Sequence, residues 1–433
     1  MTSNRPEGGV RAWQVLRNPK VWMVPTVIVG TVAFLLSLLY LGGIINPRDD
    51  LHRLPIGLVN ADQGAVVAGV PQNLGAQITA GIAAAPDPRG QISWRLLDQA
   101  AADDQLGSGK LAGALEVPAG FTAAVAALGT PAQPTPPRPT MTVLTNPGVG
   151  SLASSLASSI AQAAAQQASA RLGTSLVAQA QARPPAAGGA ASNAALLQLA
   201  DPVTVEVRVG HPIGPHSGLG LTAFYYTLLL VLAGFLGANV ISNGVDVALG
   251  YAASELGPLR TQRPLVPITR TQTLAVTCVM SVALAVLTSS LVMLATVVVL
   301  GMDASHLPLL WVFSVCATAA VGLGAQALIA AFGGIGQLIG MFVFIALSLP
   351  SSGATIPLQA LPTFYRGLAV FEPMRQLSDG VRAILYFGAQ ADAGLTRAWV
   401  MIAIGVVAAL AFGFGMTTYY DRKGLHRFHP EVS

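Results

Sequence analysis

Few side chains in this sequence combine a reactive type with a useful spacing. His211 and His216 stand five apart in His-Pro-Ile-Gly-Pro-His, where two imidazoles could meet one metal ion. No carboxylate or cysteine lies close by in sequence to complete a shell, and the Pro and Gly residues mark a loop. Gly107-Ser108-Gly109-Lys110 has the Gly and Lys of a phosphate-binding loop. It lacks the upstream glycine and the strand-to-loop setting, and reads as a helix stop. A Gly-x-Ser-x-Gly elbow and a Ser-His-Asp order are both missing, so no catalytic group is expected. Cys278 and Cys316 sit in apolar runs and read as small packing residues rather than a disulfide or metal pair. The expectation is a protein that is not an enzyme, with no cofactor, no metal and no nucleic-acid partner.

What remains is polar or small residues inside apolar stretches. Asn239, Gln326 and Gln337 are the strongly polar side chains at depth, suited to helix-to-helix hydrogen bonds or to contact with a transported molecule. Gly336 and Gly340 form a GxxxG that lets helices approach closely, within the chain or across a dimer seam. Gly234 and Gly237 lie near one helix face. No Asp, Glu or Lys falls inside an apolar stretch, which argues against a proton-coupled exporter.

The elements that hold these residues follow from composition. The chain has 433 residues, 53% hydrophobic and 10% charged, with a mean hydropathy of +0.60. Soluble domains carry about 25% charge, so the pattern indicates several membrane spans of about 20 residues each. The expected fold class is an α-helical integral membrane protein of about six spans. An α/β domain, 46–218, is placed between spans one and two. The first span is 21–45, preceded by Arg5, Arg11, Arg17 and Lys20 in segment 1–20. It is longer than a signal-peptide core and no A-x-A site follows. The remaining spans fall within 219–418: Leu219–Ile241, Gln272–Leu300, Leu309–Phe332, Ile335–Leu349 and Trp399–Thr418. Ile335–Leu349 is short, and a re-entrant pair is the alternative there.

Within 46–218, alternating segments at Leu54–Val59, Gln91–Leu97, Thr140–Leu144 and Val203–Val209 read as strands. Asp98 caps a helix that ends at Gly109, Gly113–Pro118 returns as a strand, and Gly150–Ala182 reads as one long helix. Pro184–Gly189 reads as a linker. Basic residues concentrate in segment 1–20, in Ser242–Thr271 and in the tail 419–433 with Arg422, Lys423 and Arg427. Both termini are therefore expected on the cytoplasmic side of the membrane.

Ser351–Phe387 carries Pro357, Pro362 and Pro373 and reads as an external cap. In it Leu358, Leu361, Phe364, Tyr365, Leu368 and Phe371 recur at helical spacing and could lie in headgroups. Arg375 and Arg382 are expected either to pair with Glu372 and Asp379 or to meet anionic headgroups or substrate.

Several local sequences carry a resemblance. Leu54-Pro55-Ile56-Gly57-Leu58-Val59-Asn60-Ala61-Asp62-Gln63-Gly64 resembles the opening of the external domain in the YhgE/Pip and DUF3533 families of the ABC-2-type permease group. Leu111 to Phe121, ending Val117-Pro118-Ala119-Gly120-Phe121, is similar to the next strand of those domains. Ser351-Ser352-Gly353-Ala354-Thr355-Ile356-Pro357, Leu361-Pro362, Glu372-Pro373-Met374 and Gly380-Val381-Arg382 resemble the permease segment after the fifth span. The resemblance implies export of a lipid, drug or cell-envelope molecule by a homodimer or heterodimer in contact with membrane lipid. Any ATPase would be a separate subunit, docking on Ser242–Thr271 at Glu255, Arg260 and Arg263. The alternative is a non-transporting scaffold or receptor whose external domain binds a protein or envelope polymer.

Overall fold

The computed structural model describes residues 19–43, 46–67, 70–128, 138–182, 193–256, 258–425 and 427. Arg5, Arg11 and Arg17, the side chain of Lys20 and the Pro184–Gly189 linker lie outside the described residues.

The chain begins with an apolar helix, α1 (Pro19–Gly42), and then enters a five-stranded sheet with helices on both faces. Its elements are β1 (Leu54–Asn60), a small hairpin β2 (Ala65–Val67) and β3 (Val70–Gln72), α2 (Leu74–Ala83), β4 (Ile92–Leu97), α3 (Gln99–Gly107), β5 (Gly113–Val117) and α4 (Phe121–Leu128). They continue with β6 (Thr140–Thr145), α5 (Ser151–Gln181), α6 (Asn193–Ala200) and β7 (Thr204–Val209). The strand order is β4-β1-β5-β6-β7; β5 and β6 pair antiparallel and the other neighbours pair parallel. Alternation along β1 explains the two-sided burial. Leu58 joins a core with Ile82, Phe121 and Ala161 under α2, α4 and α5, while Val59 faces Ala102 and Leu106 of α3. Asp98 does cap α3, its side chain accepting from the Ala101 N–H at 2.7 Å.

The Asn60-Ala61-Asp62-Gln63-Gly64 turn is a structural knot. The buried Asp62 carboxylate accepts from the N–H groups of Gly64, Gly75 and Thr122, and from the Thr122 hydroxyl. It thereby satisfies donors at the N-termini of α2 and α4 at once. Burial raises this carboxyl, but those hydrogen bonds outweigh it and hold it below its ordinary value.

Beyond the sheet the chain is helical: α7 (Thr222–Ala248), a hairpin β8 (Ser254–Leu256) and β9 (Leu259–Thr261), α8 (Arg270–Met293), α9 (Leu307–Phe332), α10 (Gly334–Met341), α11 (Thr363–Leu368), α12 (Pro373–Tyr386) and α13 (Leu395–Arg422). α8 runs on through a π turn at Leu294–Val299. α10 runs on through another at Phe342–Ala346 and then Ser348–Ser351. Five helices among the described residues are long and apolar enough to cross a membrane: Thr222–Ala248, Arg270–Val299, Leu307–Phe332, Gly334–Ser351 and Leu395–Arg422. That is compatible with a multi-pass membrane protein. α1 contributes a further apolar stretch, Val29–Gly42.

α9 is the central helix, packed against α7, α8, α10 and α13. The sheet sits at one end of this helical layer and the β8–β9 hairpin at the other. The strands enter and leave at the layer: the His52 N–H donates to Gln359 O, and His211, just after β7, bonds Tyr386 O at 2.8 Å. His211 and His216, the candidate metal pair, are both loop residues. Among the described residues no cluster of His, Cys, Asp and Glu could hold a metal.

Candidate functional site

At the sheet-bearing end the segment between α10 and α13 folds as a buried layer. At 14 residues α12 is about 21 Å long, short of the roughly 30 Å of a hydrocarbon core. It is nonetheless buried on most sides, with Met374, Val381, Ala383 and Ile384 inaccessible. Gly380 makes this possible, since a Cβ there would stand 2.5 Å from the Phe313 ring. Tyr386 ties its last turn to the start of α7, accepting from the Ala223 N–H at 3.1 Å and meeting the Thr222 hydroxyl at 2.5 Å.

The charges of this layer combine an expected ion pair with partners on the backbone. Glu372 caps α12, accepting from the Met374 and Arg375 N–H groups at 2.7 and 2.8 Å. Burial pushes its carboxyl up to about 7, against the pull of the Ser348 hydroxyl, the two N–H groups and Arg375. Arg375 does pair with Asp379, at 3.7 Å. Arg382 is 7% exposed and donates to the carbonyls of Gly353 and Ala354 at 3.3 and 2.9 Å, fastening the loop after α10. An arginine suits this because its planar fork spans two acceptors. The single amphipathic helix read over 358–371 is also corrected: Pro362 splits it. Leu361 and Tyr365 turn into a core with Leu54, Ile56 and Leu156, while Phe364 and Phe371 stay exposed. The Tyr365 hydroxyl donates to the carbonyls of Leu38 and Leu39, joining this layer to α1.

Beneath α12 lies an apolar cleft of 420 Å³ between the α10 segment and α13, floored by α9. Ala320, Gly324 and Ala327 form the floor, Phe344 lines it from the α10 segment and Ile402 from α13, and Pro373, Gln376 and Leu377 line it from α12. Gly324 is required, because a Cβ there would meet the Phe344 ring at 2.7 Å. The cleft's wall on α13 includes Gly405, with open space where a side chain would stand.

A second cavity, of 290 Å³, opens at the hairpin end. It brings Gln326 and Gln337 together with Asp246, Arg270, Thr417 and Arg427. Asp246 and Arg427 form a bidentate pair at 2.7 Å, and Asp421 accepts from the Arg270 and Thr271 N–H groups at the start of α8. α7 and α13 therefore run past their apolar stretches to include Asp246 and Asp421. Gln326 is a knot of three helices. Its Nε2 donates to Ala238 O at 3.0 Å and Ser281 Oγ at 3.3 Å, and its Oε1 accepts from Ser242 Oγ at 2.7 Å. Asn239 stays apart, donating to Phe235 O of its own helix. Gly336 and Gly340 pack inside the chain, where a Cβ would crowd Leu328 and Phe235; Gly234 does the same against Thr318. Glu255 and Arg260 face each other across the exposed β8–β9 hairpin at 3.5 Å, and Arg263 is exposed just beyond.

This combination of an α/β unit, a buried connecting layer and a central-helix assembly coincides with one family, DUF3533, proteins of unknown function, whose model matches residues 26–405. The chain belongs to the DUF3533 family. The match runs from α1 into α13 and so covers the residues of the sheet, the connecting layer and most of the cleft's lining. No curated protein and no solved structure matches the chain. Nothing in the motifs had pointed to the cleft, which arises where the consecutive α9 and α10 meet the more distant α13. The Asp62 turn was visible as a motif but not as the cap of two helices.

Proposed function

We propose that this DUF3533 protein is the permease-like membrane component of an exporter for an amphipathic envelope molecule, a lipid or lipophilic drug. The observation that carries this reading is the 420 Å³ apolar cleft among the candidate spans, closed at one end by α12. A cleft lined by apolar side chains and open toward surrounding lipid suits a molecule that partitions into the bilayer. In this reading α1 is a sixth crossing, both termini are cytoplasmic, and the α/β unit stands outside as a domain between spans one and two. The order of parts supports membership of the ABC-2-type permease group. A separate ATPase would dock at the β8–β9 hairpin through Glu255, Arg260 and Arg263, and the assembly would be dimeric.

The test is to fill the cleft where nothing need move. Gly405 lines the cleft from α13 and a Cβ there meets nothing within 4 Å, so Gly405→Phe adds a ring at the cleft's wall. In cells, accumulation of a fluorescent lipophilic dye is compared among the wild type, the deletion and this variant, with membrane levels matched. The variant should accumulate dye as the deletion does. Wild-type extrusion by a folded Gly405→Phe protein rejects the cleft as the route. Equal accumulation in wild type and deletion, for dyes and extracted envelope lipids alike, rejects export altogether.

A further inference from the structure

The external face of the sheet holds a larger space than the helical layer does. Between α2 and α5, over the edge strand β4, runs a groove of 710 Å³. Its walls are Ile78 and Ile82 of α2 and Ala164, Ala168 and Leu172 of α5, and Trp94 of β4 lines it too. Protein interiors seldom leave voids much larger than a water molecule, and two helices lying on one sheet face ordinarily close such a gap with larger side chains. Here the residues of α5 at the middle of the groove are Ala163, Ala164 and Ala168, with Gln167 among them. Gly81 lines it from α2, with nothing within 4 Å of where its Cβ would stand. A glycine within a helix is unfavourable, so the open space is held at some cost to α2.

We propose that this groove binds a single acyl chain of an amphiphile with an acidic head. Three features select that occupant. The groove follows α5 from Ile160 to Ser175, about 22 Å, long enough for a chain that fills one leaflet of a hydrocarbon core, about 15 Å. Its foot is continuous with the layer that meets α1: Ile92, Trp94 and Ile160 pack on the core containing Leu361 and Tyr365, with Leu39 of α1 beside them. A chain leaving the lipid at the end of α1 therefore reaches the groove along apolar surface. At the far end Arg171 lines the groove with no ion-pair partner among the described residues, whereas Arg89 at the foot faces Asp49 at 3.6 Å. The Arg171 guanidinium places the acidic head outward and the tail toward the membrane. This goes beyond the export reading, since the groove binds whether or not the cleft transports.

The test uses the full chain, purified in detergent, and two probes. One is a palmitic acid analogue with a diazirine in the tail; the other is the matching fatty alcohol. After irradiation, adducts of both should map to peptides of α2, α5 and β4. Gly81→Phe should lower this labelling about tenfold by occupying the space, while Gly81→Ala keeps it. Arg171→Gln should weaken capture of the acid about threefold and leave the alcohol unchanged. If Gly81→Phe does not fold, as judged by gel filtration, Ala164→Leu serves from the opposite wall. Adducts confined to the helical layer overturn the proposal, as do adducts that survive groove filling. Crosslinks from the groove to a second copy or a co-purified protein, in place of probe labelling, overturn it in favour of a protein occupant. Gly405→Phe should leave groove labelling intact, so failure of the export reading and failure of this one are separable.

Discussion

Replacing Gln326 by leucine tests whether polar side chains at depth act as glue or as a pathway. The side chain is 2% exposed and makes three bonds, to Ala238, Ser242 and Ser281, spanning α7, α8 and α9. Interhelical hydrogen bonds in membranes average about 0.6 kcal/mol each, because the freed groups find other partners. Three of them sum to about 2 kcal/mol, roughly a thirtyfold change in the folded ratio. Leucine keeps most of the volume, so the loss should be polar rather than a cavity. The assay is reversible unfolding of the purified protein in mixed micelles, read by circular dichroism. A cycle with Ser242→Ala isolates the 2.7 Å bond. Export in cells should fall only as the folded amount falls. A Gln326→Leu protein within about 0.5 kcal/mol of wild type, yet inactive in export, would refute the packing argument and place Gln326 on a transport route.

Other consequences are sharper in sign than in size. Because burial raises Glu372 to about 7, its stabilising contribution is full below about 4.5 and is lost as pH rises through 7. The melting temperature should therefore drop between pH 5 and pH 8, by the equivalent of roughly 2 to 3 kcal/mol, and this slope should vanish in Glu372→Ala. Asp62, held below its ordinary value, behaves oppositely: its contribution is present at neutral pH and lost as pH falls through the folded value. Asp62→Asn should cost about 3 kcal/mol, seen as protease sensitivity in α2 and α4 under conditions where the helical layer resists. Gly336→Val should prevent accumulation in the membrane, since its Cβ would stand 2.1 Å from Leu328 O, whereas Gly415→Val, in open space, should be tolerated.

The sheet was readable strand by strand because alternation and the Asp98 cap are local signals. Its order was not, since parallel pairing of β1 with both β4 and β5 depends on helices that cross over between them. α2 and α4 escaped notice because their Ala- and Gly-rich sequences show little periodicity until a sheet supplies the face they bury. Apolar runs marked the long helices reliably. In the buried layer the charge of Asp379 beside Arg382 was legible, while the backbone carbonyls that Arg382 also binds are invisible as partners in a sequence. The cleft and the groove were equally hidden. Both are spaces left by small residues on separate elements, and a missing side chain leaves no mark of its own in the sequence.

The π turns at Leu294–Val299 and Phe342–Ala346 both lie toward the sheet-bearing end of their helices. Each is a turn holding one residue more than the α ladder needs. Returning that residue to α geometry would advance the helix beyond it by about 1.5 Å and turn it through about 100°. Phe344 sits in one of these turns and forms a wall of the cleft. The wall is therefore wound with slack. Taking it up would re-aim Phe344 relative to the floor on α9, a change of the cleft's shape by a slip of register rather than by parting of the bundle.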